Sequence, residues 1–247
     1  LLAVILAGGC RNYENFELPP PGKETHSLSA TPNIQWDVRP DPVVGPEAAE
    51  WSRVDALNPS VIEAEGRLWN YYSGFDGRTW HTGAAASTDG VVWDEPRLVL
   101  SPDPGTWEGD YIAANGTALL WKGEVWYWYQ AGGRRPRIGL ARGKPGELLA
   151  KHPEPVLDWG PRGSWDEMGV ADPYVIEEGG WLYLYYLGQD RARRQRLGVA
   201  RSRDGVEWEK LIDNPVLELG GYGRFDEVGL GEPAVWKQQG AYWMLYT

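Results

Sequence analysis

The chain holds a single cysteine, Cys10, among 247 residues, and only three histidines. One thiol excludes an intramolecular disulfide in any compartment. No Cys/His cluster has zinc-ligand spacing, and no glycine loop is followed by the lysine of a phosphate-binding motif, so neither a zinc nor a nucleotide site is expected. No cofactor is predicted; a structural calcium is left open and unassigned. Long apolar runs are missing: the only one, Leu1 to Cys10, is too short to span a bilayer. A sustained 3.6-residue apolar period is missing as well, which argues against helices. Positive charge is scarce, with 24 Lys and Arg against 35 Asp and Glu, a formal net charge of -11. That balance argues against a nucleic-acid partner and against a basic membrane-binding surface.

What the chain has in excess is 15 Trp, 13 Tyr and 32 Gly, a composition for strands that pack large rings and turn sharply at their ends. The rings and glycines recur. Trp51, Trp107, Trp165 and Phe225 are spaced by 56, 58 and 60 residues, and the strand-opening residues Asn58, Asn115, Asp172 and Glu232 by 57, 57 and 60. The plainest copy runs from Trp165 to Gly188, with an Asp172-Pro173 pair opening a strand, a Gly179-Gly180 turn, and a second strand ending in glycine. A third strand enters through Gly83, Gly139 or Gly198. A fourth is expected at Asp41-Pro-Val-Val, Arg97-Leu-Val-Leu, Glu154-Pro-Val-Leu and Asn214-Pro-Val-Leu. Four short antiparallel strands per unit describe an all-β propeller built from blades.

In chain order, residues 1–10 read as the end of a hydrophobic export signal. Ala7-Gly8-Gly9-Cys10 resembles a bacterial lipobox, which would make Cys10 a lipidation site. The expectation is an exported protein lipid-anchored to the bacterial cell envelope, with a periplasmic or secreted protein as the alternative. Residues 11–32, rich in Pro and Ser, are expected to form an extended tether. Residues 33–247 then form one domain. Asn33 to Gly45 matches only the last strand of a blade and is the candidate for a ring-closing strand. Three full blades follow, and two strands of a fourth reach Thr247. For a five-bladed ring this leaves on the order of 90 residues outside the sequence, and the chain alone should be an open arc with an unpaired edge. A monomer is expected.

In a four-stranded meander the innermost strand opens at the face to which the second-to-third-strand loop returns. Asn58, Asn115, Asp172 and Glu232 should therefore ring the axis at one mouth, a candidate carbohydrate site. The loops around it carry Arg78, Arg134, Arg135, Arg137, Arg191, Arg193, Arg194 and Arg196, a third of the 24 basic residues. Arg78, Arg135 and Arg194 are the candidate ligands for an anionic sugar or a phosphate, which guanidinium groups bind in bidentate fashion. The alternative reading makes them solvated loop charges. His81, beside Trp80, either contacts the sugar or packs at the base of its loop. The lead aromatics, present in every unit, are expected to be structural between blades rather than sugar-stacking. The Ser87-Thr-Asp-Gly-Val-Val-Trp93 and Ser202-Arg-Asp-Gly-Val-Glu-Trp208 segments are expected to be turn staples on the outer edge.

Asn58-Pro-Ser-Val-Ile, Ala171-Asp-Pro-Tyr-Val-Ile, Gly231-Glu-Pro-Ala-Val and the Tyr-Tyr-Ser-Gly and Tyr-Tyr-Leu-Gly strand ends resemble the five-bladed propeller glycosidases. That superfamily holds arabinanases and xylosidases of glycoside hydrolase family 43, invertases and levansucrases of family 32 type, and mannoside phosphorylases of family 130. The resemblance implies an inverting glycoside hydrolase acting on plant- or algal-type saccharides. Asp172 falls where family 43 keeps the carboxylate that tunes the acid, and Glu232 where it keeps the general acid. The position of the base holds Asn58, whose amide cannot take a proton from water. Asp55, three residues upstream, is the candidate substitute base. The alternatives are a family-130-type phosphorolysis, in which phosphate attacks and no base is needed, and a sugar-binding surface lipoprotein without turnover, favoured by Asn58 and Asn115 at the mouth.

Overall fold

The structure, a computed structural model, describes residues 13–18, 38–46, 49–238 and 241–247. Cys10 and the rest of the expected leader, most of the expected tether and the first residues of the expected closing strand lie outside these. Among the described residues the regular structure is fifteen strands with a 3-10 turn at Glu50–Ser52, and no α-helix is present.

Three successive meanders carry the fold. The first joins β2 (Asp55–Ala64), β3 (Arg67–Phe75), β4 (Trp80–Ser87) and β5 (Arg97–Leu100). The second joins β6 (Ala113–Trp121), β7 (Glu124–Ala131), β8 (Arg137–Gly143) and β9 (Ala150–Lys151). The third joins β10 (Gly169–Glu178), β11 (Trp181–Gln189), β12 (Gln195–Ser202) and β13 (Glu209–Leu211). A two-stranded sheet of β14 (Ala234–Gln238) and β15 (Ala241–Leu245) follows. Each first hairpin closes through two residues of positive φ: Glu65-Gly66, Lys122-Gly123 and Gly179-Gly180. Turns of this hand match the right-handed twist of the strands they join.

Alternation along the second strand of each sheet glues the blades together. On β7, Val125, Tyr127 and Tyr129 face the first sheet, packing with Tyr71, Val99 and Leu100. Trp126 and Trp128 face the third, packing with Leu182, Leu184 and Tyr186. On β11, Tyr183 and Tyr185 turn the other way, toward Val235 of the two-stranded sheet. A strand with period two and both faces covered must be apolar throughout, which is why Val-Trp-Tyr-Trp-Tyr reads as one continuous run.

Two expectations for the outer edge are revised. Residues 41–44 form no strand. Part of the expected tether does: β1, Tyr13–Glu14, adds in parallel to β13, and Phe16 is buried beside Tyr183 under the Arg201 guanidinium. The N-terminal segment thus covers the outer edge of the third sheet, an edge that would otherwise present unpaired backbone groups. The fourth strands are also displaced. Arg97–Leu100 forms as expected, but Leu157 and Leu217 make only single bridges, to Ile138 and Leu197, and the longer pairing lies upstream in β9 and β13.

Two of the lead aromatics, Trp51 and Trp165, close over glycines of their own blades, and Trp107 and Trp165 also pack against the clusters that join neighbouring sheets. Trp51 lies over Gly74 and Gly83, where an added Cβ would come within 2.3 and 1.9 Å of its ring, and Trp165 lies likewise over Gly188 and Gly198. The Ser-x-Asp-Gly turns close as outer-edge staples. The Ser87 and Ser202 hydroxyls accept from the glycine N–H three residues on, and Asp89 and Asp204 accept from two N–H groups each.

Candidate active site

Each innermost strand carries one extra residue at the same place. The ladder of β2 with β3 slips between Leu57 and Ser60, that of β6 with β7 between Ala114 and Thr117, and that of β10 with β11 between Ala171 and Tyr174. Asn58, Asn115 and Asp172 stand in those bulges with φ of 53, 52 and 49°, and Glu232 repeats the geometry at 49°. Proline follows three of the four. It lacks an N–H for the ladder and so is tolerated at a bulge. The fourth, Asn115, is followed by Gly116, whose absent Cβ would stand 2.2 Å from the Trp128 carbonyl. Positive φ at four non-glycine residues stores on the order of 1–3 kcal/mol each, and such strain persists where the surroundings enforce it. Its effect is to turn four side chains onto the axis.

There they line one cavity of about 320 Å³, whose wall continues down the innermost strands past Ser60, Thr117 and Tyr174. The four side chains form a chain of hydrogen bonds. Asn115 Nδ2 donates to Asp172 Oδ1, the Glu232 backbone N–H donates to Asp172 Oδ2 at 3.1 Å, and Asn58 Nδ2 donates to Glu232 Oε1 at 2.8 Å. Thr247 Oγ1 donates to the second Glu232 oxygen at 3.2 Å. Desolvation pushes the Asp172 carboxyl up to about 6, against the Glu232 N–H and the Asn115 amide, which hold it down, and with the Glu232 charge adding to the rise. Glu232 is exposed to the cavity. The arrangement is thus a half-buried carboxyl backing an exposed one, with amides rather than carboxylates at the other two stations.

Asp55 is not brought to this cavity. It begins β2 opposite Phe75, and its Oδ1 accepts from the Ala56 N–H. His81 packs at the base of its loop, between Asp76 Oδ2 at 3.3 Å and Ser101 Oγ at 2.9 Å. The rim arginines are largely held by protein groups. Arg78 is exposed near Asp110, Arg135 donates to the Glu167 carbonyl and stacks on Trp159 beside Arg137, and Arg194 pairs with Asp190. None of the three lines the axial cavity. Among the described residues no group of three or more His, Cys, Asp or Glu could hold a metal ion.

Sequence reasoning missed the residues that hold the ring. Gln130 accepts from Asn115 Nδ2, Ser73 Oγ accepts from the Asn115 N–H, and Thr247 bonds Glu232. Each stands fifteen positions after a strand-opening residue, so the hairpin register was the available signal. It also missed a buried ion pair beneath each of two blades. Glu108, behind Trp107, takes Lys151 and Tyr129, and Asp166, behind Trp165, takes Lys210 and Tyr186.

Comparison with solved structures decides the fold. A family 117 glycoside hydrolase of Zobellia galactanivorans matches with a TM-score of 0.65 at 21% identity, over 80% of this chain and 68% of that one. The chain has the fold of the propeller glycosidases. A family 32 β-fructofuranosidase of Bombyx mori matches at a TM-score of 0.62 and 18% identity, over 77% of this chain and 41% of its own. A member of family 130, described as mannoside phosphorylases that contain glycoside hydrolases targeting β-1,2 mannosidic linkages, matches at 0.56 and 18%, over 70% and 56%. In sequence, two uncharacterized Mycobacterium tuberculosis proteins, from strains CDC 1551 and H37Rv, are 33% identical over 113 residues. That stretch is 44% of this chain and only 36% of theirs. No protein-family model matches the chain.

Proposed function

We propose that this propeller cleaves glycosidic bonds of oligo- or polysaccharides, with Glu232 as proton donor and Asp172 as the group that holds Glu232 and the sugar in place. The observation that carries it is the pairing of these two carboxyl groups at equivalent bulges on one axial cavity, one exposed and one half-buried, joined through the Glu232 N–H. An exposed carboxyl fixed on both oxygens by neutral donors is oriented toward the cavity, and an adjacent half-buried carboxyl whose charge varies near pH 6 tunes its proton affinity.

Asn58 favours a second mode. Inverting hydrolysis needs a base to activate water, whereas in phosphorolysis the phosphate attacks by itself and only an acid is required. With an amide at that station and Asp55 outside the cavity lining, phosphorolysis is the form this set of residues supports better. The ring count we propose is five, and the anchor is the lipidated Cys10, which labelling with a radioactive fatty acid and its loss in Cys10→Ser would test.

The deciding experiment is a proton-NMR time course on arabino-, xylo- and manno-oligosaccharides with and without phosphate, beside Glu232→Gln. New anomeric signals that vanish in the variant establish cleavage, and their dependence on phosphate separates the two modes. Binding without turnover on any of them overturns the catalytic reading in favour of a sugar-binding protein.

A further inference from the structure

Charge is unevenly distributed over the mouth of the propeller. The segments 132–137, 158–167 and 189–196 together hold eight arginines against four carboxylates, in a chain whose formal net charge is -11. They also meet in space. Arg135 of the first donates to the Glu167 carbonyl of the second, and Arg191 of the third pairs with the Glu167 carboxylate at 2.9 Å. Between the second and third lies a cleft of about 350 Å³, separate from the axial cavity and walled by Trp165, Arg191, Arg194 and Arg196.

The guanidinium groups in this cleft are held from behind. Asp190 takes Arg194 through Nε and Nη2 and Arg196 through Nη2, and Glu167 takes Arg191 through Nη2. A guanidinium offers five N–H donors in a fixed fork, so each carboxylate orients its partner without exhausting it. Arg191 keeps Nε and Nη1 and Arg194 keeps Nη1, and these side chains are 61% and 58% exposed. Arg196 is 8% exposed, and its Nε has no hydrogen-bond partner. Neither does the Trp165 indole N–H on the same wall. Both nitrogens are closed off from the cleft by their burial, and Arg196 is paired with Asp190 and with Glu218, so the donors that face the cleft are those of Arg191 and Arg194.

Backbone hydrogen bonds tie the cleft's segments to those that carry the axial residues. Gln195, between Arg194 and Arg196, accepts from the Leu230 N–H at 3.0 Å, two residues before Glu232, and Met168 bonds Gln189 at the start of the strand that carries Asp172. We infer that the cleft binds an anionic substituent, a carboxylate or a sulfate ester, on a sugar unit of a saccharide whose other units occupy the axial cavity. Arg191 and Arg194 supply the charge-assisted hydrogen bonds. This rests on the carbohydrate reading of the axial cavity and names the substrate class within it.

The test titrates the full chain, by calorimetry at low and at raised salt, with oligogalacturonate, a sulfated galactan oligosaccharide and a neutral galacto-oligosaccharide of equal length. One of the anionic probes is expected to bind at least tenfold tighter than the neutral one, with a preference that shrinks as salt rises. Which probe it is separates uronate from sulfate. Arg191→Gln with Arg194→Gln should bring the ratio of anionic to neutral affinity near one and each single substitution should lower it, whereas Arg97→Gln, which removes one charge from an exposed strand outside the cleft, should not move it. Melting temperatures of the variants verify folding, and an anionic preference that survives both cleft substitutions in folded protein overturns the inference. Neutral and anionic probes bound equally overturn it while leaving the carbohydrate reading standing. No binding of any probe overturns the inference, and the same titration with the arabino-, xylo- and manno-oligosaccharides then decides the carbohydrate reading separately.

Discussion

Replacing Asp172 with Asn removes the one carboxyl whose ionisation opposes the fold at the axis. In the folded chain burial lifts this group from 3.8 to about 6, so the native state holds a proton that the unfolded state has released between those values. Stability changes with pH in proportion to the protons bound by the unfolded minus the native state, a difference that is negative in this window, so the contribution falls as pH rises. At about 1.4 kcal/mol per unit over some two units, ionised Asp172 costs on the order of 3 kcal/mol above pH 6 relative to below pH 4. The Asn variant lacks this term. It also loses a good acceptor for either Asn115 or the Glu232 N–H, but that loss does not vary with pH. The difference in unfolding free energy, variant minus wild type, should therefore rise by on the order of 3 kcal/mol between pH 4 and pH 7.5 in urea titrations, whatever its absolute value. A difference flat to within about 0.5 kcal/mol would refute the account of Asp172 as a half-buried, proton-holding group, and with it the tuning role assigned to it.

Lys151→Met should destabilise by about 3–5 kcal/mol, because it strands the buried Glu108 carboxylate, and a Glu108→Leu/Lys151→Met double variant should recover most of that in the same urea assay. Trp128→Ala, which empties the fully buried face of β7 against the third sheet, should cost about 3–5 kcal/mol by thermal or urea unfolding. Gly198→Ala puts a Cβ 2.4 Å from the Trp165 ring and should cost about 1–3 kcal/mol, with the near-ultraviolet tryptophan signal reporting the displaced indole. Phe16→Ala should speed amide exchange on β13 with little effect on β6 or β7, since β1 touches only the outer edge of the third sheet.

The repeat was legible because blade packing writes itself into side chains. Glycines under Trp51 and Trp165 and two-residue turns after the innermost strands are demands of local geometry, and local demands survive as a periodic pattern. The strand-opening residues were legible for the same reason, since a proline beside them marks the bulge. What the pattern hid is made by pairings distant in sequence. Lys151 and Lys210 lie 43 and 44 residues from the carboxylates they neutralise, and nothing near them distinguishes a buried lysine from a solvated one. The outer strands were placed too late because Val156-Leu157 and Val216-Leu217 carry the β composition. The prolines at 155 and 215 interrupt the ladder there, and the regular pairing falls before them. β1 escaped because an added edge strand is held by backbone hydrogen bonds, which leave no signature in a polar, proline-rich tract.

The four bulges also explain how one repeated unit yields an asymmetric site. The backbone at Asn58, Asn115, Asp172 and Glu232 is the same to within a few degrees of φ, so the fold supplies four equivalent stations and leaves the choice of side chain free at each. Four carboxylates so close would repel one another, and each would have to take up a proton. Two amides next to two carboxyls avoid this: Asn115 donates to Asp172 and Asn58 to Glu232, so each acid sits beside a neutral donor instead of a third or fourth charge. The amide at 58 is then more than the loss of a base. Its N–H fixes one Glu232 oxygen while Thr247 fixes the other, and a carboxyl held on both sides can present its proton in one direction only. Asn58→Asp would place a negative charge 2.8 Å from a Glu232 oxygen and raise the proton affinity of the pair. If the gain of a base outweighed that coupling, the variant would hydrolyse without phosphate. If the amide is needed to orient the acid, it would lose phosphate-dependent turnover and gain nothing in its place.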